Sequence, residues 1–336
     1  MKSVFKALLT ASIAAAHLVA AEQNTAPEAL MAEYLGFWTA GTGAKGRVTA
    51  QIRPVGDNQY DGFVLLTRAN SPVTAIQLKK SAAQNWVLKL VGTTAGTTGG
   101  DLLGHNEVSA EIRDGKLVGK FSGDLGEGTF EAEKTARKSS TLGAKPPKGS
   151  VVLLDKSGAK GWENLTWPEK EGVIQVGKEN IWAKEKIPNY QLHVEFRTPY
   201  MPKATGQDRG NSGVYLQGKY EVQVLDSFGL YPLQDNDCGG IYKIKAPIGN
   251  ACLPPTEWQT YDITFLEGNA TRTPRVTVEL NGVKVIDRAE VPANLVENGT
   301  GGGNKNTGFL MLQNHGNPVE FRNIWAQPIL SAEKLR

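Results

Sequence analysis

Polar side chains with catalytic or hydrogen-bonding capacity recur at alternate positions in the C-terminal half of the chain. They are Glu195, Arg197, Tyr215, Glu221, Gln223, Gln313 and His315. Carboxylates and histidine are the usual general bases and acids of enzymes. Amides, arginine and tyrosine provide the dense hydrogen bonding and the aromatic surface that a sugar requires. The set predicts a sugar-binding groove, with a polar sheet face that simply meets water as the alternative.

The loop before one of these segments adds two further candidates. Gly210 and Gly213 permit tight turning, and between them Asn211 and Ser212 can present an amide and a hydroxyl at the edge of the groove. An ordinary Asx turn explains the same residues without a ligand.

The elements that must position these residues have a period of two. Apolar Leu192, Val194 and Phe196 alternate with the polar set, which is typical of strands with one buried face. The sequence predicts many short strands, a hairpin at Asn281-Gly282 and no sustained helix after residue 36. So many strands in under two hundred residues predict an all-β domain of two packed antiparallel sheets, a sandwich or jelly roll.

The N-terminal half predicts a second, smaller antiparallel β domain of unknown role. We assign residues 22–138 to it, 139–150 to an extended linker rich in Lys, Ser, Gly and Pro, and 151–336 to the larger domain. Apolar residues at helical spacing, from Pro27 to Leu35, also predict a short helix within residues 22–36.

The first 21 residues have the layout of a cleaved secretory signal, with Lys2 and Lys6 ahead of a short apolar run and small residues at 19–21. We therefore expect a secreted or periplasmic protein, with an uncleaved anchor as the alternative. No later segment is apolar enough to span a membrane. The net charge of +3, without a basic stripe, does not imply a nucleic-acid partner.

Two cysteines, Cys238 and Cys252, are present. Because exported proteins retain disulfides, we expect a bond between them, with two unpaired thiols as the alternative. Asp235, Asn236 and Asp237 offer oxygen ligands to a divalent cation such as Ca²⁺, although an acidic turn explains them equally. No zinc-binding pattern is present.

The segment 209–226, RGNSGVYLQGKYEVQVLD, resembles the central motif of the 3-keto-disaccharide hydrolase family, formerly a domain of unknown function. Four further segments fit the same family, and the resemblance extends from about residue 151 to 329. They are 237–242, 250–255, 257–262 and 312–325. The resemblance implies a concanavalin-like jelly roll and a substrate class of glycosides oxidised to a ketone at C3.

A C3 ketone makes the C2 proton acidic, so a base can form an enolate that expels the glycosidic oxygen from C1, and water adds later. We expect Glu195 or Glu221 as the base and His315 as the acid or as the partner of the acid. Arg197 or a divalent cation would hold the enolate oxygen. Asn211, Ser212, Tyr215, Gln223 and Gln313 would bind the sugar. A non-catalytic carbohydrate-binding module and a surface adhesion protein are the alternatives.

Overall fold

The structure, a computed structural model, describes residues 30–69, 73–84, 87–94, 106–163, 165–293 and 307–330. The chain divides into two compact units, residues 1–136 and 137–336. Both consist of antiparallel β-sheets, which confirms the predicted all-β class. The signal predicted at residues 1–21 lies outside the described residues. Within the described part of the chain, no helix has the length and apolar character needed to cross a membrane.

The first unit is a closed barrel in which consecutive strands pair antiparallel and the last strand pairs with the first. Its strands are β1 (Ala32–Ala40), β2 (Lys45–Pro54), β3 (Gln59–Thr67), β4 (Thr74–Gln84), β5 (Val87–Thr94), β6 (Asn106–Arg113), β7 (Lys116–Gly123) and β8 (Gly128–Thr135). Closure leaves no unpaired sheet edge.

Alternation of apolar and polar residues builds the barrel interior. In β6, Val108, Ala110 and Ile112 are buried. The Trp38 ring packs edge-on against Phe121 at 5.6 Å. The helix predicted within residues 22–36 is wrong where the structure describes that segment, because β1 pairs with both β2 and β8. Tertiary pairing overrides the local helical spacing there.

The second unit contains two antiparallel sheets. The five-stranded sheet has the order β10-β13-β20-β15-β16. Its strands are β10 (Trp162–Glu163), β13 (Ile181–Lys186), β15 (Ser212–Leu216), β16 (Tyr220–Val224) and β20 (Phe309–Leu312).

The eight-stranded sheet has the order β11-β12-β21-β14-β17-β18-β19, and β9 pairs with β21 beside this path. Its strands are β9 (Val151–Leu154), β11 (Glu169–Lys170), β12 (Val173–Gln175), β14 (Tyr190–Arg197), β17 (Gln259–Leu266), β18 (Arg275–Leu280), β19 (Val283–Glu290) and β21 (Glu320–Pro328).

The two sheets contact each other through their apolar faces. The hydroxyl of Tyr261, in β17, donates to the carbonyl oxygen of Gln223, in β16, at 2.5 Å. Phe196 stacks on Tyr261 with ring centroids 4.7 Å apart. Side chains on the same side of β14 and β17 as these two rings therefore face the five-stranded sheet, and their sequence neighbours face outward.

Residues 139–144, which we call the anchor segment, lie on the outer face of the eight-stranded sheet. The Ser139 and Thr260 hydroxyl oxygens are 2.6 Å apart, and the Thr141 hydroxyl donates to Asp262 Oδ2 at 2.6 Å. Asn323 Nδ2 donates to the carbonyl oxygen of Ala144 at 2.9 Å. This part of the predicted extended linker is thus bonded to the sheet.

Candidate functional site

Strands β15 and β16 place several predicted site residues on the surface that faces away from the eight-stranded sheet. Tyr220 contacts Phe265 of β17 with ring centroids 5.9 Å apart, so Tyr220 faces inward. Because side chains alternate along a strand, Glu221 and Gln223 point outward. Tyr215 pairs with Glu221 across the strands and shares this outer face.

A chain of hydrogen bonds runs through Tyr215. Its hydroxyl donates to Glu221 Oε2 at 2.7 Å, and Gln313 Nε2 donates to the Tyr215 hydroxyl oxygen at 3.3 Å. Gln313 Oε1 is buried and has no hydrogen-bond partner among the described residues. An unsatisfied buried acceptor costs about 1–3 kcal/mol, and a ligand hydroxyl that bonded this oxygen would remove the cost.

Gly213 provides the space that the Glu221 carboxylate occupies. A Cβ atom at Gly213 would lie 2.5 Å from Glu221 Oε1 and 3.0 Å from Glu221 Cγ. Both distances are shorter than ordinary van der Waals contact. The Glu221 side chain therefore lies over the glycine, and any larger residue at position 213 would displace it.

The environment of Glu221 shifts the pKa of its carboxyl group toward neutral pH. The residue is only 3% exposed. Burial raises the pKa of Glu221 to about 7, while the Tyr215 hydrogen bond and the positive charge of Lys243 act in the opposite direction. Burial also raises the pKa of Tyr215 far above its ordinary value, so the phenol keeps its proton. A carboxyl group with a pKa near 7 can accept and release a proton at neutral pH.

An amide cluster lies on the same face as Glu221. Gln223 Nε2 donates to Asn211 Oδ1 at 3.0 Å and to Gln207 Oε1 at 3.1 Å. Asn211 Nδ2 donates to the Gln207 carbonyl oxygen at 2.8 Å. Ser212 differs, because its hydroxyl donates to the carbonyl oxygen of Gln313 at 2.7 Å. The amides are oriented by one another, whereas the Ser212 hydroxyl joins two strands.

His315 lies in the exposed loop that follows β20. The loop begins beside Gly213, whose carbonyl oxygen accepts a hydrogen bond from the Gln313 backbone nitrogen at 3.0 Å. It continues to Asn317, whose Oδ1 accepts a hydrogen bond from the Asn211 backbone nitrogen at 2.7 Å. These two attachments place His315 at the rim of the face that carries Glu221.

Glu195 lies on the other sheet and points the other way. Its neighbour Phe196 stacks on Tyr261 in the interior, so Glu195 faces outward from the eight-stranded sheet. Glu195 and Glu221 therefore lie on opposite outer surfaces of the unit, and the prediction that they share one groove is wrong. Alternation identifies the residues that leave the core, but it does not identify the sheet that each strand joins.

The Glu195 carboxylate is bonded on all sides. Arg322 Nε donates to Oε2 at 2.7 Å, while Asn323 Nδ2 and the Gly143 backbone nitrogen donate to Oε1 at 2.8 and 2.6 Å. Burial alone would raise the pKa of Glu195, but hydrogen bonds from His193, Asn323, Arg322 and Gly143 outweigh it and lower the pKa to about 2. A carboxylate held charged in this way is a poor base at neutral pH.

His193 continues this network beneath the anchor segment. His193 Nδ1 lies 2.7 Å from Asp262 Oδ1, and Nε2 lies 3.5 Å from Glu195 Oε1. Burial lowers the pKa of His193, but the hydrogen bonds with Asp262 and Glu195 exceed that effect and raise it. The network holds the anchor segment to the sheet.

Arg197 also belongs to this second face. Its guanidinium pairs with Glu320 and lies 4.9 Å from the centroid of the Trp258 ring. Arg322 lies over the same ring at 4.0 Å. The prediction that Arg197 lines the same groove as Glu221 is therefore wrong, because β14 belongs to the eight-stranded sheet.

The structure adds Tyr242 and Lys243 to the Glu221 face. Val222 forms an isolated bridge with Ile241, and the Tyr242 backbone nitrogen donates to the Glu221 carbonyl oxygen at 3.0 Å. Tyr242 therefore lies beside Glu221. The segment 237–242 was among those that fit the family in sequence, so a signal for Tyr242 was present, but no periodic strand pattern accompanied it.

An aromatic residue, Trp182, extends the same face. Cross-strand register aligns Trp182 with Met311, Met311 with Tyr215, and Tyr215 with Glu221. Adjacent strands lie about 4.8 Å apart, so the row places Trp182 about 14 Å from Glu221. Trp182 is half-buried, and its indole ring provides a surface on which a sugar ring can stack.

The predicted disulfide is not formed. Cys238 and Cys252 are buried thiols, and Cys238 Sγ lies 3.1 Å from the Tyr261 hydroxyl oxygen. Hydrogen bonds hold this region, including those from Asn250 Nδ2 to the carbonyl oxygens of Ser227 and Leu230 at 2.7 and 3.0 Å. The loop is therefore closed by polar contacts and packing.

The predicted cation site has a structural explanation. The Asp237 carboxylate accepts hydrogen bonds from the Gln234 backbone nitrogen at 2.7 Å and from the Ser227 hydroxyl at 3.3 Å. In the portion of the chain that the structure describes, no group of three or more His, Cys, Asp and Glu side chains is arranged to hold a metal ion. Asp237 thus stabilises its own turn.

The solved structures that resemble this chain include two candidate glycosyl hydrolases from Parabacteroides distasonis ATCC 8503. One is 32% identical, with a TM-score of 0.48, over 57% of this chain and 90% of that chain. The other is 22% identical, with a TM-score of 0.41, over 54% of this chain and 94% of that chain. A search of curated proteins finds no match.

The family comparison covers the two sheets of the second unit. A model of the 3-keto-alpha-glucoside-1,2-lyase-like domain matches residues 149–327, more than half of the 336 residues. The match includes Glu221, Tyr215 and Gln313. The chain therefore belongs to the 3-keto-alpha-glucoside-1,2-lyase-like domain family.

Proposed function

We propose that this protein cleaves glycosides whose sugar carries a ketone at C3, with Glu221 as the general base. The observation that carries this proposal is a nearly buried carboxyl group with a pKa of about 7, on a face that also presents amides and an unsatisfied acceptor. The family description names a 3-keto-alpha-glucoside-1,2-lyase-like domain, which supports a carbohydrate substrate.

The reaction begins when Glu221 takes the proton from C2. The electrons of the C2–H bond form a C2=C3 double bond, and the carbonyl electrons move to the C3 oxygen to give an enolate. The enolate electrons then return, a C1=C2 double bond forms, and the C1–O bond to the leaving group breaks. Addition of water across C1=C2 completes a net hydrolysis. No oxidant or reductant is consumed.

The neighbouring polar residues have separate tasks in this proposal. Gln313 accepts a hydrogen bond from a sugar hydroxyl through Oε1, while Asn211 and Gln223 fix further hydroxyls. Tyr215 keeps the Glu221 carboxylate in place. His315, at the rim, donates the proton that the leaving oxygen needs, since histidine is the side chain most often used as a general acid or base. Trp182 stacks against a second sugar ring, so the substrate is at least a disaccharide.

Two broader features complete the proposal. The antiparallel sheets of five and eight strands form a concanavalin-like jelly roll, in which the face carrying Glu221 is the ligand groove. Residues 1–21 direct export, so the protein acts outside the cytoplasm, where it meets oxidised sugars. The strand order supports the first point, and the basic, apolar and small-residue layout supports the second.

Replacement of Glu221 by Gln tests the proposal. The amide keeps the shape and a hydrogen bond to Tyr215 but cannot act as a base, so we expect turnover of a 3-keto disaccharide to fall about 1,000-fold. Glu185→Gln, at an exposed position of β13 in the same sheet, is the control and keeps full activity.

Two outcomes contradict the proposal. Full turnover by the Glu221→Gln protein removes Glu221 from the mechanism. Sugar binding in isothermal titration, without any turnover by the unmodified protein, identifies a carbohydrate-binding module instead.

A further inference from the structure

A short loop, residues 241–245, lies beside Glu221. Ile241 and Lys245 exchange two backbone hydrogen bonds, each 2.9 Å long, which closes residues 241–245 into a tight turn. Lys243 lies at the tip with a φ of +59°, a left-handed conformation that is uncommon for a residue with a side chain. Such conformations persist where the surrounding structure imposes them and are concentrated at functional sites.

The turn is fixed to the strand that carries Glu221. Ile241 is fully buried and bridges Val222, while the backbone nitrogen of Tyr242 bonds the carbonyl oxygen of Glu221 at 3.0 Å. These contacts place the tip of the turn next to Glu221. The position of Lys243 is therefore set by the sheet.

The Lys243 side chain is exposed, and its charge acts on the Glu221 carboxylate. Lys243 Nζ lies 5.2 Å from the centroid of the Tyr242 ring, and its positive charge lowers the pKa of Glu221 against the larger effect of burial. Arg209, two residues before Asn211, is committed to another carboxylate, because it pairs with Asp226 at 2.7 Å. Arg322 pairs with Glu195 on the opposite face.

We propose that Lys243 stabilises the enolate oxygen at C3 during the elimination. This inference rests on the proposed function. When the proton moves from C2 to Glu221, the negative charge moves from the carboxylate to the C3 oxygen. The Lys243 charge, carried on a turn that the backbone fixes beside Glu221, attracts the carboxylate in the resting enzyme and the enolate after proton transfer. Charge fixed where negative charge develops lowers the barrier more than it strengthens substrate binding.

The test compares two lysines of the same turn. Lys243→Gln removes the charge, and Lys245→Gln removes an equally exposed charge from the base of the turn. With a 3-keto disaccharide, we expect Lys243→Gln to lower kcat about 100-fold with little change in KM. The acidic limb of its pH profile should move to higher pH, because the charge that lowers the pKa of Glu221 is gone. Lys245→Gln should change neither.

The pH profile separates electrostatic action from a structural role. A variant that merely loosened the turn would lose activity without that directed shift, and its unfolding temperature would fall. Unchanged kcat and an unchanged acidic limb in Lys243→Gln overturn the assignment of Lys243 alone. Failure of the unmodified protein to turn over any 3-keto disaccharide overturns the proposed function, and with it this assignment.

Discussion

Two glutamates on opposite faces of the same unit have pKa values that are shifted in opposite directions. Glu221 has a pKa of about 7 and Glu195 a pKa of about 2, although both are nearly buried. Glu195 receives hydrogen bonds from an arginine, an amide and a backbone nitrogen, whereas Glu221 receives one from a phenol. Burial alone does not set the acidity of a carboxyl group, because the number and charge of its donors decide whether the proton stays.

The contrast implies a division of labour. On the outer face of the eight-stranded sheet, Glu195 and Asp262 are bonded by the chain's own groups, and their network supports the anchor segment. The face of the five-stranded sheet leaves an acceptor, Gln313 Oε1, without a partner among the described residues. Substitutions on the first face should therefore affect stability, and substitutions on the second should affect catalysis.

The largest effect on stability should come from Glu195→Gln. The change removes the charge that pairs with Arg322 and leaves the network beneath the anchor segment incomplete. We expect the free energy of unfolding to fall by about 3 kcal/mol at pH 7, measured by urea denaturation with tryptophan fluorescence. Glu185→Gln should have no measurable effect. Equal stability of the Glu195→Gln and unmodified proteins would contradict the role of this network.

The effect of Glu195→Gln on the free energy of unfolding should depend on pH. The pKa of Glu195 falls from 4.5 to about 2 on folding, so its contribution is present above pH 4.5 and is lost as the pH falls toward 2. The stability difference between the two proteins should therefore narrow across that window.

A smaller loss should follow Thr141→Val, which keeps the shape of the side chain but removes its hydroxyl. That hydroxyl donates to Asp262 Oδ2 at 2.6 Å and also lies 3.1 and 3.2 Å from the Ser139 and Thr260 hydroxyl oxygens. Hydrogen bonds to charged groups contribute about 1.5–3 kcal/mol, so we expect a loss near 2 kcal/mol in the same denaturation experiment. Ser140→Ala, at an exposed neighbouring position, is the matched control. A loss no greater than that of the control would mean that the anchor segment is not held by this bond.

An effect of opposite sign, present only at higher pH, should come from Glu221→Gln. Folding raises the pKa of Glu221 from 4.5 to about 7, so its favourable contribution is complete below pH 4.5 and is lost as the pH rises through 7. At pH 8 the Gln variant should be more stable than the unmodified protein, by up to about 3 kcal/mol. Thermal unfolding at pH 5 and pH 8 measures the change, and a difference independent of pH would contradict the raised pKa.

Sequence periodicity was sufficient to predict the strands, but it did not predict which sheet each strand joins. The alternation around Val194 and Val222 correctly separated inward from outward residues. It did not reveal that β14 and β16 belong to different sheets, since sheet membership depends on long-range pairing with β17, β21 and β15. The predicted site therefore contained Glu221, Tyr215, Gln223 and Gln313, which lie together, along with Glu195 and Arg197, which do not.

Irregular segments were the other source of error. Lys243 lies in a turn, where apolar and polar residues do not alternate regularly. Its proximity to Glu221 depends on backbone contacts that cannot be predicted from residue spacing. The residues from Ser139 to Ala144 have little apolar surface and were interpreted as a linker, but they bind through polar bonds whose partners are more than fifty positions away. The predicted helix failed because β1 has pairing partners on both edges.

The anchor segment also defines how the second unit can be isolated. A fragment beginning at residue 149, where the family match begins, would lack every partner that Ser139, Thr141, Gly143 and Ala144 supply to the sheet. Glu195 and Asp262 would then each lose a donor and be opened to water. A recombinant fragment of the lyase-like domain should therefore begin upstream of Ser139. It then retains the anchor segment over Glu195 and Asp262.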